Sequence, residues 1–434
     1  MKSFQQKRTR SNSSQLEVII VGAGLGGLGA AIALLLTGHN VRVLEAAKEI
    51  GEVGAGIQVL PNCSRVLIHF GLEEALKPYA TSPDMSYINQ WKGDVITSWS
   101  YHAAAKTFGT PFWDFHRADL HRVMMERVSE LGGEITCDRT VEDVQFAETM
   151  EKSSVVLRGG AIYSADLIVG ADGINSRLRG VLTGKDEPPT PTGDLAYRLL
   201  FDTKRMMDDP ELRKLVETPQ VNCWIGPNAH VVNYVLKGGD LFNMVLLMPD
   251  DMPPGVRIAH GKTEELLAFF KDWDPRIIKL IKLAASLDKW KLCIRDRLDN
   301  WSHPSGTFTL LGDAVHATLP YLASGAAMSI EDGAVLGECL SRIQSKSPSE
   351  IKRALAVYEK CRVGRTDKIV KRSSWQQYQQ HLADGEEQQE RDRRMRMIPP
   401  PQGECFAFRD PEIGPWLMGY DHVRDVDLHW DSVG

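Results

Sequence analysis

The sequence predicts an α/β protein: a parallel-sheet unit of strand–helix–strand construction, carrying an inserted, mainly antiparallel sheet and closing in C-terminal helices. Three observations predict it. A strand, glycine turn, helix and second strand follow one another between Glu17 and Glu45. Two further apolar strands, far apart in sequence, each end on a glycine, at Gly170 and Gly312. Between those two glycines the pattern changes to short β segments separated by hairpin turns.

The first element is Glu17-Val18-Ile19-Ile20-Val21, rich in β-branched residues as a buried parallel strand requires. Gly22-Ala23-Gly24-Leu25-Gly26-Gly27 follows at once, Leu28 to Thr37 is made of helix formers, and Val41-Arg42-Val43-Leu44 restores strand pattern before Glu45. In that context a G-x-G-x-x-G run is a dinucleotide site. Gly22 permits the tight turn, Gly24 clears room for a pyrophosphate, and Gly27 permits close helix–strand contact. Amides at the helix start face the phosphate oxygens, where the helix dipole also favours negative charge. Glu45 stands where a carboxylate accepts hydrogen bonds from an adenosine ribose and repels a 2′-phosphate. The tightly held nucleotide is therefore FAD or NAD, and spacing alone does not choose between them.

At 434 residues the chain exceeds one ordinary core, so two units are expected. A net charge of -6, with no long Lys/Arg tract, argues against nucleic acid as a partner. The seven cysteines are scattered and form no CxxC pair, so reduced core thiols are expected and no metal site. The longest apolar run, Ala30 to Leu36, is too short to span a bilayer, and the basic start lacks the apolar core of a secretory signal. A cytoplasmic monomer or homodimer is the expectation.

Two later motifs carry a resemblance. Leu167-Ile168-Val169 leads into Gly170-Ala171-Asp172-Gly173-Ile174-Asn175-Ser176-Arg177-Leu178-Arg179, and Phe308-Thr309-Leu310-Leu311 leads into Gly312-Asp313-Ala314-Val315-His316. With the glycine fingerprint and in this order, they resemble the group A FAD-dependent aromatic hydroxylases of the para-hydroxybenzoate hydroxylase fold, in their salicylate-hydroxylase-like branch. Fungal phenol-dearomatising monooxygenases are similar too. The likeness covers roughly residues 16 to 370. It implies a Rossmann-like, glutathione-reductase-like FAD domain in two parts, 16–185 and 301–372, around a substrate domain at 190–300, with an extension at 373–434.

The resemblance implies roles for particular residues. Asp172 belongs to a motif tied to flavin and nicotinamide handling, although Ser176 and Asp172 would equally cap a surface helix. Arg177 and Arg179 are positioned to neutralise a pyrophosphate. Asp313 would accept from the ribityl chain, and Gly325, Ala326 and Ala327 would let backbone approach the isoalloxazine ring. In Phe115-His116-Arg117-Ala118-Asp119, Arg117 would reach ribityl or ring oxygens, an ion pair with Asp119 or Glu126 being the alternative. The loop Gly51 to Gln58, Gly56 included, resembles the one beside the ring.

For the substrate, Arg198 and Tyr234 occupy strand positions like those that bind and ionise a phenol in the fungal relatives. An arginine fork holds phenolate or carboxylate well; the alternative is a strand arginine paired to a surface carboxylate. His316, Trp224 and Tyr321 are further pocket candidates, each of which would also serve as core. The implied reaction is hydroxylation of a phenolic small molecule through a flavin C4a-hydroperoxide, with NADPH or NADH as transient reductant and O₂ as co-substrate. Epoxidation of an indole or alkene, and a flavin-binding protein without oxygen insertion, are the alternatives.

Four strands are read at Leu195–Phe201, Val221–Ile225, His230–Leu236 and Phe242–Met248, with turns at Gly226-Pro227-Asn228 and Lys237-Gly238-Gly239-Asp240. Helices are read at Glu264–Phe270, Arg276–Leu287, up to Leu340, and from Arg342 to Arg372. Asp384 to Arg396, almost wholly polar, reads as a linker or exposed helix end. The aromatics after it, from Phe406 to Trp430, predict a tail docked on the body or on a partner subunit.

Overall fold

The structure, a computed structural model, describes residues 7–51, 55–147, 152–285 and 287–432. Its nucleotide unit is built on a five-stranded, wholly parallel sheet. The strand Glu17–Val21 lies at its centre, flanked by Asn40–Leu44 and Leu167–Gly170, with Glu134–Thr136 and Phe308–Leu310 outermost. The expected strands thus assemble side by side, and the Gly22, Gly170 and Gly312 turns emerge at the same carboxyl edge. Helix Leu25–Leu36 is buried along its whole length, consistent with its apolar composition.

The second sheet has eight strands. The four expected from the sequence are present, as Thr190–Asp202, Gln220–Gly226, Ala229–Leu236 and Leu241–Pro249, paired antiparallel. Two corrections apply. Met85–Gln90 and Val95–Ser100, within the segment assigned to the first unit, extend this sheet, and Met85–Gln90 pairs parallel with Gln220–Gly226. The helix after Pro275 stops at Leu283, and Asp288–Ile294 is a strand paired with Thr190–Asp202. Its alternation of Lys289 and Lys291 with apolar residues was a readable strand signal.

Period-two alternation divides the sheet's residues between two environments. Leu195, Tyr197, Trp224, Val231, Met244 and Leu246 face the helices Thr263–Phe269 and Pro275–Leu283 in a separate core. Ala196, Arg198, Cys223, His230, Tyr234 and Val245 face the other way, over the carboxyl edge of the parallel sheet.

The C-terminal segment is more ordered than its composition predicts. Ser347 and Glu350 begin a 33-residue helix, Pro348–Gln380, which runs past the expected end at Arg372. The stretch read as a linker is the helix Glu386–Met395, whose Arg391 and Asp392 are buried and paired. The tail folds back on the body: Phe408 packs 5.5 Å from Trp99, and Arg365 lies 3.8 Å from the centre of the Tyr420 ring. The cysteines are free thiols, all but Cys137 buried. No helix among the described residues is long and apolar enough to cross a membrane.

Two carboxylates on helix Gly325–Leu340 meet two arginines of the long helix in full burial. Glu331 pairs with Arg365 at 2.9 Å, and Asp332 with Arg362 at 2.7 Å. Burial alone would raise both carboxyls, yet the arginines, with His316 beside Asp332, hold them below the usual range. Asp332 also accepts from Gly312 N at 2.9 Å, so the cluster braces the Gly312-Asp313 turn. Arg362→Leu is expected to cost about 3–5 kcal/mol, because it strands buried charge. Urea unfolding of the variant checks this, and a loss under about 1 kcal/mol would contradict it.

Candidate flavin and substrate cleft

A cleft of about 420 Å³ lies between the carboxyl edge of the parallel sheet and the inner face of the large sheet. Gly24, Leu25 and Gly26 line one end, and Ala171, Gly173, Gly312 and Asp313 the adjoining wall. The glycine turn has the expected geometry. A β-carbon on Gly27 would overlap the Gly22 carbonyl oxygen, and one on Gly22, at φ +107°, would overlap Ala171 O. Gly24 differs, because a β-carbon there would meet nothing within 4 Å. That open space lies at the start of a 12-residue helix, where a diphosphate is stabilised. Glu45 stands beside the turn, its carboxylate accepting from Ala23 N and Ala47 N at 2.8 Å each.

Further along, Arg117 at the start of helix Arg117–Glu130, the exposed carboxylate of Asp313, and Gly56, Gly325 and Ala326 line the cleft. Residues 52–54 of the loop expected beside the ring lie outside the described residues. A cation, a sugar-alcohol acceptor and small residues along one trough fit a flavin dinucleotide laid from Gly24 toward Gly325.

Over residues 15–373 the chain matches the family described as FAD binding domain. It is 39% identical over 419 residues to the FAD-dependent monooxygenase OpS4 of Beauveria bassiana, covering 95% of this chain and 96% of that one. The chain belongs to the group A FAD-dependent aromatic monooxygenases. Another member, the 3-hydroxybenzoate 6-hydroxylase of Polaromonas naphthalenivorans, is 33% identical over 364 residues, which is 83% of this chain and 86% of that one. The crystal structure of CtdE in complex with FAD and substrate 4 shares the fold, with a TM-score of 0.82 at 21% identity over 96% and 98% of the two chains.

In this monooxygenase several assignments need correction. The Asp172 carboxylate accepts from Ser176 Oγ, Arg177 N and Leu178 N, so it caps the helix Arg177–Thr183 while its neighbours Ala171 and Gly173 line the cleft. Arg179 is buried and donates to Asp296 O at 2.9 Å, a structural use far from neutralising phosphate. Ala327 turns into the core of the parallel-sheet unit. His316 is buried behind the Gly-Asp turn, 2.5 Å from Asp332, and does not line the cleft. Trp224 sits on the opposite face of its strand and donates to Asp274 at 2.8 Å. One-residue alternation separates it from Cys223, which does line the cleft.

Arg198 and Tyr234 come together at the substrate end. The Arg198 guanidinium stacks 5.1 Å from the Trp290 ring centre, and no carboxylate among the described residues pairs with it. Burial and the like charge of Arg117 lower its pKa, and Tyr234 raises it in part. Burial and Asp114 push the Tyr234 phenol well above its usual range, against the opposing pull of Arg198, which keeps its hydroxyl a neutral donor. Tyr321 lines the cleft with its ring while its hydroxyl donates to Asp194 at 2.5 Å.

Sequence reasoning missed a chain leading out of this end. His230, on the cleft face of its strand, has Nδ1 2.7 Å from Nε2 of His381, whose Nδ1 is 3.5 Å from Asp194. Burial and His381 hold His230 well below the usual imidazole range, so it is neutral. His381 comes from the end of the long helix, about 150 residues away, and no spacing rule links the two. Phe406 and Phe408 of the tail also line the cleft.

Asp114 lies beside this end, fully buried, with Oδ1 accepting from Gln58 and Oδ2 without a partner. Burial pushes its carboxyl well above the usual range, so the folded protein keeps a proton that the unfolded chain releases near pH ~4. Stability from this group is complete below that point and falls as pH rises toward the raised value, by about 1.4 kcal/mol per pH unit. Asp114→Asn removes the effect. Melting curves in mildly acidic and in neutral buffer are expected to favour the variant increasingly with pH, and a constant difference would contradict the assignment.

Proposed function

We propose that the protein hydroxylates a phenolic small molecule bearing, or able to form, an anion, consuming NAD(P)H and O₂ and releasing water. The observation that carries this reading is Arg198, a cation with no carboxylate partner among the described residues, facing the cleft next to the neutral Tyr234 hydroxyl. Bound FAD would supply the redox chemistry, taking a hydride from NAD(P)H and passing the electrons to O₂.

The chain's own groups prepare the ring. Arg198 holds the phenolate or a neighbouring carboxylate, and an adjacent cation favours the ionised phenol. Tyr234 donates to the same oxygen. For a phenol that arrives protonated, His230 passes the proton on to His381, beside which Asp194 favours the charged form. Ionisation makes the ortho and para carbons electron-rich, and these are the positions at which oxygen enters. Tyr321, Phe406, Phe408 and the aliphatic face of the large sheet hold the ring and exclude water.

The name of one relative, a 3-hydroxybenzoate 6-hydroxylase, supports an aromatic substrate of this kind, and that of another, a FAD-dependent monooxygenase, supports oxygen insertion. A salicylate-like or a larger polyketide-derived phenol fits the same chemistry. A panel of phenols, with and without a carboxylate, scored for NAD(P)H oxidation and for product mass, tests it. A product one oxygen heavier is expected, or one that has also lost CO₂ where the attacked carbon carries a carboxylate. A panel in which no phenol accelerates NAD(P)H oxidation would overturn the reading.

A further inference from the structure

The C-terminal helix His422–Trp430 lies on the long helix Pro348–Gln380, remote from the cleft-lining residues. Three donors converge at this contact. Asp425 and His429, one helical turn apart, share a face of the terminal helix, and Cys361 projects from the long helix. His429 Nδ1 is 3.7 Å from Cys361 Sγ and 3.2 Å from Asp425 Oδ1, and all three donors lie within 4.8 Å of one another.

The two separations from His429 are close to the edges of a zinc tetrahedron, and the Cys361–Asp425 pair, within 4.8 Å, would close to that length on binding. With bonds of about 2.0–2.1 Å to nitrogen and oxygen and about 2.3 Å to sulfur, the edges come to roughly 3.3–3.6 Å. A second shell is also in place: the Tyr420 hydroxyl donates to Asp425 Oδ2 at 2.8 Å, leaving Oδ1 for the shared centre. The His429 and Asp425 side chains are 31% and 20% exposed, so an ion has a way in and a water has the fourth position. Without an ion, His429 Nδ1 lies 2.9 Å from the Asp425 carbonyl oxygen, a contact that ligation would replace.

We propose that Cys361, Asp425 and His429 form a divalent-cation site, suited to zinc, that fastens the terminal helix to the long helix. The sequence gives no sign of it, because Cys361 is more than sixty residues from its co-ligands and no CxxC or HxxxH spacing is present. The ion would close the chain segment between residues 361 and 425, which carries Phe406 and Phe408.

The test uses full-length, flavin-loaded protein, stripped with a chelator and titrated with zinc alone against a chromophoric competitor. One zinc per chain is expected. Cobalt in its place is expected to give intense visible bands to the red of the flavin absorption, the signature of a tetrahedral site with a thiolate. Cys361→Ser and His429→Gln should each weaken binding by about a hundred-fold or more, and Tyr420→Phe by roughly ten-fold, at unchanged flavin content. His429→Gln, on a half-exposed helix, guards against loss of folding in the cysteine variant. Zinc binding of equal strength in both ligand variants, or no zinc retained by the parent protein, would overturn the proposal.

Discussion

Gly24→Ala is expected to yield protein that folds normally and carries almost no flavin. The added methyl group meets no protein atom within 4 Å, and the φ of -71° at Gly24 is one that alanine adopts freely. It projects instead into the space at the helix start that the diphosphate of FAD would fill. Gly27→Ala is the informative contrast, since its methyl overlaps the Gly22 carbonyl oxygen and forces helix and turn apart. Overpacking of that kind costs about 1–3 kcal/mol, so Gly27→Ala should lose stability as well as flavin. Flavin absorbance per chain and the melting temperature of the flavin-free forms separate the two effects. A Gly24→Ala protein that purifies with full flavin would place the diphosphate elsewhere.

Arg198→Ala should leave flavin content and melting temperature nearly unchanged while weakening substrate affinity roughly thirty-fold or more. That factor corresponds to about 2–5 kcal/mol for removing one partner of a desolvated charge pair. Arg198 stacks on Trp290, and no carboxylate among the described residues neutralises it, which leaves its charge for the substrate. A strand arginine held in an internal ion pair would behave in the opposite way, with lost stability and unaffected substrate binding. Arg198→Lys keeps the charge but not the planar fork, so partial rescue is expected. Titration of the bound flavin spectrum with substrate measures the affinity directly.

The nucleotide unit was legible because its signals are local. Strand, glycine turn, helix and acid lie within thirty residues, and each glycine answers a close approach that the fold imposes. The family resemblance pointed to Arg198 and Tyr234, and both lie on the cleft face of the large sheet. Strand alternation, followed one residue at a time, would have turned Trp224 away from it. Asp172 and His316 show a different limit. Both stand in the motifs that carry the family resemblance, yet their side chains brace the backbone turns whose neighbours line the cleft. A motif identifies a position without saying whether its side chain or its backbone faces the ligand. His230 with His381, and Cys361 with His429, needed tertiary structure, since each pair joins elements that approach only after the long helix has packed. The polar stretch from Asp384 to Arg396 misled for a related reason: its buried Arg391 and Asp392 satisfy each other, which composition does not reveal.

Turnover under oxygen-18-labelled O₂, with a phenol that stimulates NAD(P)H oxidation, tests the central claim most directly. The expected result is one labelled oxygen in the organic product and none acquired when the label is supplied in water instead. An oxidised product free of label from O₂ would contradict the account, because the cleft would then serve electron transfer without delivering oxygen to the ring.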